Sequence, residues 1–211
     1  MFEENERAIH AIGSALRALP PTKIVLLSSI GAHRESGTGA IMKLHAMEKA
    51  FADLPFVMSI RAAWFMENIA GLIAVARTTG ILPSMLAPLD RAVPMIATTD
   101  IGQQVAASLQ SNWSGHNIIE LEGPDQYTPG DLAAALSVAL SRTVVAQVLP
   151  PREWQAAYQS WGLTPRSGEA MAEMVEGFNS GWIGFEKGAG ETLKAKTTLT
   201  SLISSIVSQP S

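Results

Sequence analysis

Short runs of apolar residues, separated by stretches with helical spacing, constrain the fold of this chain more than any other feature. Residues 23–27 have the sequence KIVLL, and residues 56–60 form a second, mostly apolar run. Strands that are apolar on both faces are typical of a parallel sheet covered by helices. Residues 117–121 and 143–149 predict two more strands. We therefore expect an α/β fold with a mainly parallel, doubly wound sheet.

Apolar residues at helical spacing occupy the segments between these runs. The predicted helices cover residues 3–19, 41–53, 63–76, 100–109, 129–140, 150–161 and 167–179, with a weaker helix at 198–207. Thr128, Pro129 and Asp131 predict the start of one of them, because Thr is a favoured N-cap and Pro fits the first helical position. Residues 81–94 contain three prolines and predict a loop or a short hairpin.

Composition excludes several classes of function. The 211 residues carry 15 Lys and Arg against 19 Asp and Glu, so the net charge is -4 and no basic field is available for nucleic acid. The chain has no Cys, which excludes disulfides, thiolate catalysis and Cys-based metal sites. The acidic N-terminus and the short apolar runs do not fit a secretory signal or a membrane helix. We expect a soluble, cytoplasmic protein.

Five stretches of the sequence carry a family resemblance. They are LLSSIGA at 26–32, GTGAIMKLHAMEKA at 37–50, IRAAWFMEN at 60–68, TTDIGQQVAASL at 98–109 and IELEGPDQYTPGDLAAALSVAL at 119–140. In this order they resemble the NmrA-like branch of the atypical short-chain dehydrogenase/reductases. The resemblance implies part of a Rossmann-like domain that binds NADP or NAD at residues 1–149. It also implies a small helical substrate-side or lid region at residues 150–211.

The sequence departs from that family at its beginning. The family opens with a strand and a G-x-x-G-x-x-G turn that cradles the cofactor pyrophosphate, and no such motif occurs here. The resemblance therefore implies a chain without the first half of the nucleotide-binding domain, in which tight dinucleotide binding is lost. The strand at 23–27 would lie at an open sheet edge, where a second copy, another chain or the N-terminal helix could cover it.

The resemblance also places candidate site residues. Ser28, Ser29 and Lys43 are the predicted catalytic residues. The predicted cofactor contacts are Ser29, Gly31, Lys43, Ala63, Phe65 and Asn68. Typical short-chain dehydrogenases pair a Tyr with a Lys in Y-x-x-x-K, but Gly39 stands four residues before Lys43. Lys43 would therefore have to act without that general acid.

Each of these residues also has an ordinary structural interpretation. Ser28 and Ser29 fit a strand-to-loop cap, because Ser commonly bonds local backbone. Lys43 fits a solvated helical lysine. Phe65 fits core packing, and Asn68 fits a helix-stabilising position.

Two other groups of residues lead to separate predictions. His45 and Glu48 lie three residues apart on a predicted helix, but two ligands do not make a metal site, so we predict none. Glu48 and Arg61 are a candidate structural ion pair. A set of Met and Trp residues is predicted either to line an apolar pocket near a C-terminal lid or to belong to the core: Met85, Met95, Trp154, Trp161, Met171, Met174 and Trp182.

Two hypotheses of function follow from the resemblance. The first is an NAD(P)H-dependent oxidoreductase that reduces a small carbonyl or quinone-type substrate. The second is a non-catalytic redox-sensing or protein-interaction module, or a truncated remnant, that no longer binds dinucleotide tightly. In either case we expect a homo-oligomer or a partner chain that covers the open edge, and we expect no membrane or nucleic-acid partner.

Overall fold

A computed structural model describes residues 2–208 of the chain. The helices are α1 (Phe2–Ala18), α2 (Met42–Ala50), α3 (Ile73–Thr79), α4 (Thr98–Gln110), α5 (Pro129–Leu140), α6 (Pro151–Ser160), α7 (Pro165–Ser180) and α8 (Leu199–Ser208). The strands are β1 (Ile24–Ser29), β2 (Val57–Ala62), β3 (Trp64–Phe65), β4 (Ile81–Ser84), β5 (Val93–Ile96), β6 (His116–Glu122), β7 (Gln126–Tyr127), β8 (Val145–Val148) and β9 (Glu191–Lys194).

The main sheet has four parallel strands in the order β1-β2-β6-β9. This confirms the predicted α/β fold with a parallel sheet. The register aligns Ser28 of β1 with Arg61 of β2, and Arg61 with Glu120 of β6. A row of polar residues therefore crosses the sheet near the carboxyl ends of its strands.

The two faces of this sheet differ in chemistry. On one face, Ile60 of β2 and Leu121 of β6 pack in a cluster with Ile101 and Val105 of α4. On the opposite face, Leu26 of β1 packs in a second cluster with residues of α1 and α2. Because side chains alternate along a strand, Ser28, Arg61 and Glu120 share the α2 face with Leu26 and Val57. That face is apolar at its amino end and polar at its carboxyl end.

A larger apolar cluster joins the carboxyl ends of the sheet to the C-terminal helices. It includes Ile30 and Met66, which follow β1 and β3, together with Trp154 of α6, Val175 of α7 and Ile203 of α8. Residues on both sides of the predicted boundary at 149/150 thus contribute to one cluster. The division into a 1–149 domain and a 150–211 region stays a prediction.

Several local predictions were wrong because tertiary pairing overrode local pattern. The predicted helix at 63–76 begins instead with β3, because Trp64 and Phe65 pair with Met95 and Ile96 of β5. A 3₁₀ segment (Met66–Leu72) follows, and α3 comes after it. Residues 81–94 contain β4 and the start of β5, which pair with β8 and β3 rather than with each other.

The fourth strand of the main sheet also differs from expectation. The predicted strand at 143–149 forms β8, which pairs with β4 in a separate two-stranded sheet. The main sheet is completed by β9, whose sequence ETLK is polar and mostly exposed. The helix start at Thr128 is confirmed as a reciprocal capping box, in which Thr128 Oγ1 accepts from Asp131 N and Asp131 Oδ2 accepts from Thr128 N.

Within residues 2–208, β1 is an outer strand of the main sheet, as expected. The N–H groups of Ile24 and Ile30 bond to carbonyls beside β2, so the alternate residues Val25, Leu27 and Ser29 direct their backbone groups outward. Leu27 is 44% exposed. The helix α1 packs on α2 and on the sheet face beneath β1. None of the described helices is long and apolar enough to cross a membrane.

Candidate functional site

Ligands of open parallel α/β sheets bind beyond the carboxyl ends of the strands. In this chain those ends are Ser29 of β1, Ala62 of β2 and Glu122 of β6. Two features lie at this edge: a buried network of charged residues and an apolar cavity. The predicted site residues are distributed between them.

The three predicted catalytic residues have different surroundings. Ser28 is buried and donates a hydrogen bond from Oγ to Oε1 of Glu48. The hydroxyl of Ser29 bonds to the carbonyl of Ile30 at 3.1 Å. Lys43 lies on α2 with an exposed side chain, and no ion pair or hydrogen bond of its ammonium group is present within residues 2–208. The catalytic roles of the three stay predictions.

Apart from Lys43 on α2, the predicted cofactor contacts lie at or after the carboxyl ends of β1 and β2. Gly31 follows β1 with φ +84°, and a Cβ there would meet Ile183 at 3.0 Å. Ala63 follows β2 and is buried, with its N–H bonded to the carbonyl of Leu121 at 2.9 Å. Phe65 is half-buried against the α4-side cluster, whereas Asn68 is exposed and lines the apolar cavity.

A charged network is centred on Arg61, whose side chain is almost fully buried. Its Nε and one terminal nitrogen donate to the two carboxylate oxygens of Glu48 at 3.1 and 2.8 Å. Its other terminal nitrogen donates to Glu186 at 2.6 Å. Burial lowers the pKa of Arg61. The hydrogen bonds and charges of Glu48 and Glu186 together raise it by a larger amount, so the net pKa shift is upward. The predicted Glu48–Arg61 ion pair is confirmed.

Glu120 extends this network across the sheet. Its Oε1 accepts a hydrogen bond from the backbone N–H of Glu186 at 2.7 Å. Burial raises the pKa of Glu120, against the opposing effects of that hydrogen bond and of the nearby Arg61 charge. Since Arg61 is already bonded to two carboxylates, it is held as a structural cation and is not available to a phosphate group.

The loop after β1 contains buried polar atoms without partners among the described residues. They include His33 Nδ1 and Thr38 Oγ1. Burial lowers the pKa of His33; the nearby charge of Glu186 opposes this shift more weakly, and that of Arg34 adds to it. A neutral imidazole can donate from one ring nitrogen and accept at the other. The loop therefore offers uncharged hydrogen-bonding groups where a ligand of this fold class binds.

An apolar cavity of about 310 Å³ lies just beyond β2. Its wall begins with Trp64, Met66 and Asn68 and continues through β4, β5 and α5 to α6 and α7. Trp64 is fixed by an edge-to-face contact with Phe178 of α7, with ring centroids 5.1 Å apart. No Asp, Glu, Lys, Arg or His lines the cavity within the described residues.

Four of the seven predicted pocket residues line this cavity: Met85, Met95, Trp161 and Met171. The other three residues do not line the cavity. Trp154 is in the core and donates to the carbonyl of Leu149, Met174 packs against the core, and the ring of Trp182 lies against the guanidinium of Arg34.

Sequence reasoning missed Tyr158, a buried residue of α6 that lines the cavity. A signal was present, since Trp154, Tyr158 and Trp161 lie four and three residues apart on a predicted helix. Their spacing places them on one helix face.

His45, Glu48 and Tyr127 each have a partner of their own in the structure. No cluster of three or more potential metal ligands is found in the part of the chain that the structure describes. His45 Nδ1 is 2.8 Å from the carbonyl oxygen of Ala32, and Glu48 bonds to Arg61. Tyr127 is structural, because its hydroxyl accepts the N–H of Leu199 at 3.2 Å.

Comparison with solved structures identifies the fold. The NADPH-dependent quinone oxidoreductase of Escherichia coli is 23% identical, with a TM-score of 0.76 over 94% of this chain and 72% of that chain. The triphenylmethane reductase of a Citrobacter species is 18% identical, with a TM-score of 0.77 over 97% of this chain and 72% of that chain. This chain therefore shares the Rossmann-type α/β fold of these two proteins.

Sequence comparison finds a curated relative that is longer than this chain. Agroclavine dehydrogenase from Claviceps purpurea is 27% identical over 164 residues, which cover 75% of this chain. The match covers 54% of that enzyme, so this chain spans about half the length of its curated relatives. No family model matches the chain.

Proposed function

We propose that this chain forms the nicotinamide and substrate side of an NAD(P)H-dependent oxidoreductase that reduces a small carbonyl or quinone-type substrate. The observation that supports this most directly is the position of the cavity. Its wall begins at Trp64, Met66 and Asn68, immediately beyond the carboxyl end of β2. A substrate in the cavity would lie beside the strand ends at which this fold class binds the reactive end of its cofactor.

The residues at this edge fit the nicotinamide end of a dinucleotide. A nicotinamide ring is flat and carries an uncharged carboxamide, and the small Ala63, the hydroxyl of Ser29 and the neutral ring of His33 lie at these strand ends. The solved structures with a similar fold include the quinone oxidoreductase in complex with NADPH. Because the sequence contains no G-x-x-G-x-x-G motif, the proposal assigns no pyrophosphate cradle to these residues.

The cofactor supplies a hydride when it is bound, and reduction of a carbonyl also requires a proton at the oxygen. We propose that Ser28, Ser29 and Lys43 orient the cofactor rather than supply that proton. Ser28 is engaged with Glu48, and Lys43 faces solvent on α2. The proton would then come from the substrate side of the cavity or from solvent.

One observation favours the second hypothesis, a non-catalytic redox-sensing or protein-interaction module. Gly39 stands where typical short-chain dehydrogenases place their Tyr acid, and its backbone packs directly on α7. No side chain can occupy that place without moving the helix. A protein of this type would retain the sheet and the cavity but would not transfer hydride.

We also propose that a further strand pairs along the outer edge of β1, from a second copy of this chain or from a partner chain. The support is the outward-facing backbone of Val25 and Leu27, together with the exposure of Leu27. Unpaired edge groups of this kind readily accept another strand. An oligomeric mass above that of one chain in light scattering would support pairing with a second copy, and a monomer at high concentration would contradict that pairing.

Calorimetric titration with NADPH and NADH tests the cofactor proposal. We expect binding that is weak but detectable below about 1 mM, because each 1.4 kcal/mol of lost phosphate contact weakens binding about tenfold. Asn68→Ala should weaken binding further. Asn117→Ala, at the opposite end of the sheet, is the matched control and should leave binding unchanged. The absence of binding heat at millimolar cofactor would favour the non-catalytic module.

A further inference from the structure

Apolar packing around the cavity does not explain why residue 158 carries a hydroxyl group. The residue is 1% exposed, and its hydroxyl oxygen has no hydrogen-bond partner within residues 2–208. Buried polar groups in folded proteins are nearly always bonded, because desolvation without a partner is costly. A phenylalanine would fill the same space without that cost.

The other polar groups on the cavity wall do not provide a partner. Ser84 donates its hydroxyl to the carbonyl of Leu86 at 2.8 Å, so it is already engaged. Asn68 lies at the exposed side of the wall. The Tyr158 ring is held by an edge-to-face contact with Trp161, with centroids 5.7 Å apart. Tyr158 is therefore a fixed part of the cavity wall whose hydroxyl is shielded from solvent and has no partner among residues 2–208.

Protonation determines which kind of atom this hydroxyl can bind. Burial raises the pKa of Tyr158 to about 12, so the group stays protonated at neutral pH and is available as a donor. Because no ionisable residue other than Tyr158 lines the cavity in the described part of the chain, a charged ligand would be desolvated there without compensation. The surrounding Met and Trp side chains suit a flat apolar body.

We propose that the cavity binds uncharged, flat, aromatic ligands that bear a hydrogen-bond-accepting oxygen, and that Tyr158 determines this specificity by donating to that oxygen. This inference rests on the proposed function, which places the substrate in the same cavity. It deepens that function by naming the residue that selects the substrate and the chemical groups that are selected. Ligands that carry a sulfonate or carboxylate on the buried ring are excluded.

Two probes of similar shape separate the hydroxyl from the apolar wall. Naphthoquinone carries acceptor oxygens, whereas naphthalene has none. We expect Tyr158→Phe to weaken naphthoquinone binding about tenfold, the equivalent of one good hydrogen bond, and to leave naphthalene binding unchanged. Calorimetry without cofactor measures both affinities, and the chain contains no Cys that the quinone would alkylate.

Tyr127→Phe is the matched control, because the Tyr127 hydroxyl accepts a backbone N–H outside the cavity. It should leave naphthoquinone affinity unchanged and lower the melting temperature. Tyr158→Phe should instead raise the melting temperature of the free protein by about 2–4 °C, since it removes an unpaired buried hydroxyl. If the Tyr158 hydroxyl instead stabilised the fold, Tyr158→Phe would lower the melting temperature.

Three results would overturn the inference. They are equal naphthoquinone affinity in the parent chain and Tyr158→Phe, an equal loss of naphthalene affinity in that variant, and a lower melting temperature for Tyr158→Phe. If the parent chain binds neither probe, the cavity assignment itself fails. That failure is distinct from failure of the cofactor proposal, because NADPH titration is measured without these probes.

Discussion

Replacing Gly39 with Ala is expected to destabilise the folded chain by about 2–5 kcal/mol, from left-handed strain together with overpacking. Gly39 has φ +53°, and a Cβ there would overlap the carbonyl oxygen of Ala170 and lie 2.6 Å from the amide nitrogen of Met174. Both atoms belong to the backbone of α7, so no side-chain rotation can relieve the overlap. The loss is large against a typical stability of about 5–15 kcal/mol.

The experiment separates strain from steric overlap by a matched glycine. Gly188 also has a positive φ, +80°, but a Cβ added there would meet no atom within 4 Å. Gly188→Ala should therefore show only the conformational cost, about 1–2 kcal/mol. Urea denaturation of the parent chain and both variants measures the free energy of unfolding that each variant loses. Equal destabilisation of the two would mean that the loop after β1 is not packed on α7 as described.

This variant also tests the connection between the β1 loop and the cavity. The helix α7 that contacts Gly39 contributes Met171 and Val175 to the cavity wall. Displacement of α7 by the added methyl group would alter the cavity. We therefore expect Gly39→Ala, where it still folds, to lose naphthoquinone affinity, whereas Gly188→Ala should retain it.

Replacing Arg61 with Met is expected to cost about 3–5 kcal/mol at pH 7, the range for removing one partner of a buried ion pair. Arg61 neutralises Glu48 and Glu186, and its guanidinium makes three hydrogen bonds to them. Met has similar length but no charge, so it would leave two carboxylates together without a cation. Glu48 is the less exposed of the two and should contribute most of the loss.

A double variant identifies the cause of this loss. In Arg61→Met the unpaired negative charge of Glu48 and Glu186 is the expected cause, so a second substitution that removes one of these charges should reduce the loss. The double variant Arg61→Met with Glu48→Gln should recover part of the loss at pH 7. Arg17→Met removes an exposed pair with Asp53 and should have little effect. A double variant that is no more stable than Arg61→Met would indicate a packing defect instead.

The sequence predicted those parts of the fold in which local pattern and tertiary structure agree. The strands β1, β2 and β6 are apolar enough to be recognised, and Thr128 begins α5 through local capping chemistry. The strand β9 could not be predicted, because Glu191–Lys194 lies at an exposed edge and is specified by pairing with β6. The segment after β2 was assigned to a helix because its pairing with β5 depends on residues about thirty positions away.

The candidate site was also predictable only where local sequence pattern specifies it. Asn68 was predicted as a cofactor contact, and the Met and Trp residues were predicted either to line a pocket or to belong to the core. Asn68 and four of the Met and Trp residues line the cavity. Tyr158 was missed, because a single sequence does not show which buried hydroxyl lacks a partner. The Arg61 network was predicted only in part. Glu186 lies 125 residues from Arg61 in the sequence, and no local pattern connects the two.

Hydride transfer from NADPH to naphthoquinone is the measurement that tests the proposed function most directly. In the reaction, the quinone gains a hydride and a proton to become the hydroquinone, and NADPH becomes NADP⁺. We predict equimolar loss of NADPH and gain of hydroquinone, at a rate proportional to the concentration of folded chain and unchanged in Asn117→Ala. A sample that binds both NADPH and naphthoquinone but consumes NADPH no faster than buffer would contradict the oxidoreductase function and favour a non-catalytic module.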